Sequence, residues 1–226
     1  MDKSILTLFN KLNEVYDSMP NAIGCIGCGK CCMVQHPHCF QIEFYYILSE
    51  IENWTKEEKE KLHIDCIKNY LSNSLEKKCV FLDENKKCKI YSYRDYNCRA
   101  FGIIPKKVYS KRVKNVKKNF LGVRLTLEKQ SDCCGGVKAE EYIGKNKLDF
   151  LFEEIKKLDL ELGVSQESCD NSDNYMTFHD HYLLHYYGKD VNMIKALTKI
   201  KTNSSEKEKE KFIFDLEDSF GFKKGN

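Results

Sequence analysis

Between residues 25 and 32 the chain reads Cys25-Ile-Gly-Cys28-Gly-Lys-Cys31-Cys32, four thiols in eight residues. Gaps of two residues let a turn aim successive sulfurs at one point. Gly24, Gly27 and Gly29 ease the backbone angles that such a turn needs. Packing gives no reason to crowd thiols in this way; binding a metal or a cluster, or forming disulfides, does. The N-terminus points away from secretion. Its short apolar run is broken by Asn10, Lys11, Asn13 and Glu14, with no signal-peptide core. No apolar stretch approaches the roughly 20 residues of a membrane span. The expected compartment is the cytoplasm, where clustered cysteines bind metal more often than they form disulfides.

A chain of 226 residues buries roughly 70% of its unfolded surface and needs no disulfide staples to hold a core. The formal charge of +3 counts every cysteine as neutral. Metal-bound cysteine is thiolate, and eight thiolate ligands would turn +3 into −5 before the metal is added. Net charge therefore says little about partners.

Ile5, Leu8, Leu12 and Tyr16 recur at helical spacing, so residues 4–18 read as an amphipathic helix. An aromatic-rich helix is expected over Ile42–Ile51. Thr55 and Glu58 form a capping box that opens a third helix ending near Leu75. Cys79-Val-Phe-Leu and Cys88-Lys-Ile-Tyr flank a polar turn and predict a small hairpin with a cysteine at the start of each arm. Ser92–Cys98 reads as one helical turn. Residues 106–129 hold nine Lys or Arg and one acid, and Phe120–Leu127 alternates like a strand. Helices are expected over Leu148–Leu162, Tyr175–Tyr187 and Val191–Ile200, and Glu206–Lys211 reads as a solvated helix or a link. The expected fold class is α+β, mostly helical, with a small β-hairpin and an irregular cysteine-rich metal-binding core. The expected division is a cysteine-cluster domain over 1–145 and a C-terminal helical extension over 146–226.

Outside the opening cluster the informative thiols are Cys79, Cys88, Cys98 and the pair Cys133/Cys134. Adjacent side chains diverge in extended or helical backbone, so Cys31 and Cys32 are expected to serve two centres, or one centre and a redox step. Four-thiolate sites suit zinc and iron alike. Three cysteines at successive two-residue gaps match the first ligands of bacterial ferredoxins, and no second, well-separated C-x2-C supports a zinc finger. Spacing thus favours an iron–sulfur cluster, 4Fe-4S in type, with zinc as the alternative.

These blocks, with Tyr93-Arg94 and Cys98-Arg99 in order, resemble the YkgJ family of cysteine-cluster proteins, a zinc- or iron-chelating domain, over roughly residues 20–136. Arg94 is followed by Asp95 where the family often has proline. Cys133-Cys134-Gly135 stands where the family often has Cys-Pro-Gly, and Cys133 fits that spacing better than Cys134. The resemblance implies a cysteine-held metal or iron–sulfur centre with Cys25, Cys28, Cys31, Cys32, Cys79, Cys88, Cys98, Cys133 and Cys134 as the ligand candidates. It implies no single reaction. Members are loosely described as iron–sulfur oxidoreductases, and flagellin lysine N-methylases are similar in their cysteine blocks. A redox partner or a protein or peptide substrate is the expected partner. Nucleic acid is disfavoured because the basic stretch carries no recognition motif. No glycine-rich nucleotide loop is present.

Cys66 falls on one helical face with Leu62 and Tyr70 and reads as a core thiol. Cys169, in a polar run, is assigned no role, and Cys39 lies close enough to the cluster to be a further candidate. Arg94 and Arg99 flank Cys98 and could donate charge-assisted hydrogen bonds at the cofactor; an ordinary surface ion pair is the other reading. His181 and His185 share a helix face beside Asp180 and are the catalytic candidates, with an aromatic packing helix as the alternative.

Overall fold

A computed structural model describes residues 3–23, 29, 31–33, 38–74, 77–101, 103–104, 138–139, 141–188 and 190–221. The chain is a mostly helical α+β protein. The expected strand at Phe120–Leu127, the basic stretch over 106–129, and Cys25, Cys28, Cys133 and Cys134 lie outside the described residues.

Helix α1 (Lys3–Asp17) buries Leu8, Phe9, Leu12 and Tyr16. That stripe packs on Leu148, Leu151, Ile155 and Leu158 of α5 (Lys145–Leu162) to form one apolar cluster. α5 stops at Gly163, which takes φ 100 and closes the helix with a left-handed residue. A second cluster joins α3 (Lys56–Leu71) to α7 (Phe178–Tyr187) through Leu62, Cys66, Ile67, Phe178, Tyr182 and Leu183. α8 (Val191–Asn203) and α9 (Glu206–Ser219) lie against α3. Both clusters draw residues from either side of position 145.

Between them runs α2 (Gln41–Ile51). It gives Ile42 to the first cluster and Phe44, Ile47 and Ile51 to the second. A helix apolar on two sides has to be buried, and its exposed first amides then need partners. Phe40 precedes it and cannot cap. The Asp159 carboxylate of α5 accepts instead from the backbone N–H groups of Gln41 at 2.9 Å and Ile42 at 2.7 Å, and Asn174 Nδ2 donates to it at 2.5 Å. Glu43 takes the Phe40 N–H at 2.8 Å.

α3 begins at the expected capping box, with Glu58 N–H donating to Thr55 Oγ1 at 3.2 Å. It ends at Leu71, four residues before the expected stop. Ser72 turns extended and its hydroxyl accepts the Ser74 N–H at 3.1 Å, the local side-chain bond by which serine competes with helix. The expected hairpin closes as a single antiparallel bridge, Leu82 with Cys88. Its turn is tight, with Asp83 accepting the Lys87 N–H at 2.7 Å and Lys86 at φ 61. The helical turn expected over Ser92–Cys98 resolves into a 3-10 turn at Tyr91–Tyr93 and helix α4 (Tyr96–Ala100).

Two short antiparallel ladders tie distant segments together. β1 (Ala22–Ile23) pairs with β3 (Lys138–Ala139), and β2 (His38–Cys39) with β4 (Met176–Thr177). β4 runs directly into α7, and the short α6 (Gln166–Asn171) buries Cys169 beneath it in sequence.

Candidate metal centre

Cys31 and Cys32 sit on a 3-10 turn (Cys31–Met33), with their sulfurs 3.9 Å apart. The expected divergence of neighbouring thiols therefore does not hold here. Two thiolates on one tetrahedral ion at about 2.3 Å are separated by about 3.8 Å, which is the observed spacing.

Cys79 closes on this pair. Its backbone N–H donates to the Cys32 carbonyl at 2.7 Å. The Cys32 thiol is held far above its usual range by hydrogen bonds to Cys31 and then Cys79, while the bond from Cys32 holds Cys79 below its own. Cys79 is thus the thiolate-prone member. Cys88, across the hairpin turn, is pushed up to about 12 by burial and then by the charge of Cys79. Burial pushes Cys98 well up, and Asp95, Cys79 and Cys88 add to it. Five thiols therefore feel one another, and most resist ionisation. A bound cation reverses that balance, because thiolate charge is stabilised by the ion that it ligates. Among the described residues no three His, Cys, Asp or Glu side chains yet close round one point.

Gly29 packs against the hairpin turn. It takes φ +67, and a Cβ there would lie 2.4 Å from the Lys86 carbonyl oxygen and 2.7 Å from Leu82 Cδ1. Only glycine fits so close an approach in that backbone region. The turn is itself anchored on α3, where Lys89 Nζ donates to Glu58 at 2.7 Å and lies 4.2 Å from the Trp54 ring centre.

Cys98 stands in the first turn of α4, and two buried carboxylates hold that turn. Asp95 accepts the Cys98 N–H at 3.0 Å, and Glu43 accepts the Tyr96 N–H at 2.6 Å and the Tyr16 hydroxyl at 2.7 Å. Burial and then Asp95 push Glu43 up to about 8. The sequence reading missed both acids, although each left a trace. Asp95 occupies an N-cap position three residues before Cys98, and Glu43 is a lone acid within the apolar run of α2.

Arg94 and Arg99 serve the backbone. Arg94 lies 3.6 Å from the Tyr91 ring centre and donates Nε–H to the Tyr91 carbonyl at 2.8 Å. Arg99 lies 4.0 Å from the Tyr16 ring centre and donates to the carbonyls of Arg94, at 2.7 Å, and Ser92. Together they tie the turn before Cys98 to α4 and α1. Among the described residues neither forms an ion pair.

His181 is buried, stacks on Phe44 at 5.3 Å, and donates Nε2–H to the Cys39 carbonyl at 2.9 Å. His185 is exposed, with its ring edge-on to Phe44 at 5.5 Å and Tyr45 at 5.8 Å. α7 does reach the cysteine region, since Phe178 packs on Phe81 at 4.5 Å, two residues beyond Cys79. Cys39 and Cys66 are buried thiols at 1% and 0% exposure.

Residues 24–123 match the family model CxxCxxCC, described as "Putative zinc- or iron-chelating domain". Over that stretch the chain is similar to this family of cysteine-cluster domains. The matched stretch holds Cys25, Cys28, Cys31, Cys32, Cys79, Cys88 and Cys98, and ends before Cys133, Cys134, His181 and His185. No match was found among curated proteins or solved structures. Among the described residues, no helix is long and apolar enough to cross a membrane.

Proposed function

We propose that the matched stretch binds a thiolate-held centre in which Cys31 and Cys32 ligate the same metal atom, with Cys79 as the third ligand. The 3.9 Å sulfur separation carries this reading. It suits a single tetrahedral zinc or iron ion, or one iron of a two-iron cluster. A four-iron cluster takes four cysteines on four irons, so a shared pair favours the two-iron or single-ion reading over the 4Fe-4S one. Cys88 and Cys98 complete the set on the hairpin side, and Cys25, Cys28, Cys133 and Cys134 supply the remaining candidates.

A redox role is the second reading. The observation favouring it is that five thiols already share one electrostatic environment, more than a single tetrahedral ion takes. On this reading the centre exchanges electrons with a redox partner, or acts on a protein or peptide substrate. His181 is committed to Phe44 and the Cys39 carbonyl, so it supports a packing role for α7 better than proton transfer.

Anaerobic purification followed by metal analysis and visible spectroscopy tests both readings. A colourless protein with one or two equivalents of zinc supports chelation without redox chemistry. A brown protein with equal iron and acid-labile sulfide, two of each, supports the two-iron cluster. Four irons and four sulfides per chain would overturn the shared-atom arrangement.

A further inference from the structure

α3 and α7 bring together a second set of redox-capable side chains that metal binding does not use. His63 is 4% exposed. Its ring lies among those of Tyr186 at 4.5 Å, Tyr187 at 5.5 Å, Tyr182 at 5.8 Å and Phe220 at 5.9 Å. Nε2 lies 2.7 Å from the Tyr187 hydroxyl, and Nδ1 is buried without a hydrogen-bond partner. Aromatic faces are electron-rich, so they suit an N–H at Nδ1 better than a lone pair. That leaves Nε2 as the acceptor and makes Tyr187 the donor. Burial holds the imidazole below its usual range, which keeps it neutral at pH 7.

Aromatic rings run from the pair towards Cys79. Tyr182 stacks on Tyr186 at 6.0 Å, and Tyr186 meets Tyr187 at 4.9 Å. A run of rings, Phe81 to Phe178 at 4.5 Å and Phe178 to Tyr182 at 5.9 Å, starts two residues from Cys79.

We propose that Tyr187 and His63 form a proton-coupled redox pair that drains one-electron oxidation from the cysteine layer. The oxidant is a thiyl radical at Cys79, left when a peroxide-derived hydroxyl radical takes one electron from the thiolate and becomes hydroxide. Tyr187 supplies the electron that returns this sulfur to thiolate. The phenolic proton crosses to Nε2 of His63 in the same step, leaving a neutral tyrosyl radical and an imidazolium. A tyrosine that loses an electron becomes strongly acidic, so one with a neutral base at hydrogen-bond distance oxidises in preference to the others in a chain of thirteen. The proposal rests on the thiolate centre only for the origin of the radical.

The test is pulse radiolysis of the metal-loaded full chain with azide radicals as the one-electron oxidant, following tyrosyl absorption, with bound metal measured on the same samples. Tyr187→Phe and His63→Gln are expected to cut the long-lived tyrosyl yield at least twofold while metal content stays unchanged. Glutamine can accept the hydrogen bond but not the proton. The exposed control Tyr142→Phe is expected to leave the yield unchanged, and Cys79→Ser to remove the slow growth of the tyrosyl signal. An unchanged yield in folded Tyr187→Phe, or an equal loss in Tyr142→Phe, overturns the pair. Persistence of the slow growth in Cys79→Ser overturns its link to the thiols. Absence of metal from every sample instead counts against the chelation reading alone.

Discussion

The carboxylate of Asp159 on α5 caps the N-terminus of α2, accepting the Ile42 N–H at 2.7 Å across 117 residues of sequence. The same carboxylate takes the Gln41 N–H and the Asn174 amide, and is fully buried. α2 in turn carries Glu43, which holds the first turn of α4 and with it Cys98. A bond far from the sulfurs thus sets where one of them stands. Asp159→Ala removes a cap and strands buried N–H groups, at a cost of about 2–3 kcal/mol. Urea unfolding should show a lower midpoint with an unchanged slope. A loss below about 0.5 kcal/mol would mean that water replaces the carboxylate.

If Cys31 and Cys32 share one metal atom, Cys31→Ser and Cys32→Ser should each lower affinity for cobalt(II), used as a zinc stand-in, at least tenfold. Both should weaken the sulfur-to-cobalt charge-transfer bands. Cys66→Ser and Cys169→Ser should leave these bands in place, because both thiols are buried in apolar packing. Full intensity in either Cys31→Ser or Cys32→Ser would show that the two serve different atoms.

Glu43 gives a pH dependence of defined sign. Its carboxyl is raised to about 8 in the folded protein, against about 4.3 in an unfolded chain. The folded state therefore holds the proton more tightly. Its stabilising contribution is complete below the unfolded value and is lost as pH rises towards 8, a change on the order of a few kcal/mol. Glu43→Gln, always neutral, should flatten the stability profile between about pH 5 and pH 8. A wild-type profile that rises over this interval while the variant runs parallel to it would contradict the assignment.

Gly29→Ala should push residue 29 away from the hairpin turn. The added Cβ meets the Lys86 carbonyl oxygen at 2.4 Å, and φ +67 is strained for alanine. About 1–3 kcal/mol of strain is expected, read as a lower melting temperature together with weaker metal binding. If melting and metal affinity both match wild type, Gly29 does not pack against the turn.

Removing the metal under reducing conditions should speed amide exchange at Cys79, Leu82 and Lys89, whose N–H groups bond within the cysteine region. Ile155 and Leu158, inside the first cluster, should keep their protection. Unchanged exchange at all five positions would mean that the hairpin holds without the ion.

Local pattern determined much of this protein. The α1 stripe of Leu8, Leu12 and Tyr16, the capping box at Thr55 and Glu58 and the core thiol Cys66 were all legible, because each depends on residues a few positions apart, and the ordered cysteine blocks gave the family likeness. The helix end at Leu71 and the reduced hairpin were legible only in part, since serine hydroxyls and a left-handed Lys86 act through single local bonds that periodicity does not register. Tertiary structure alone decided the rest. Asp159 caps a helix from a distant one, Glu43 reaches Tyr96, and the sulfurs of Cys31 and Cys32 come to 3.9 Å. The arginines beside Cys98 turned to backbone carbonyls, and the histidine that found a buried hydroxyl partner was His63. Spacing along a chain states which side chains share a face. Which groups meet across faces depends on burial, where every polar atom has to find a partner in whichever element packs against it.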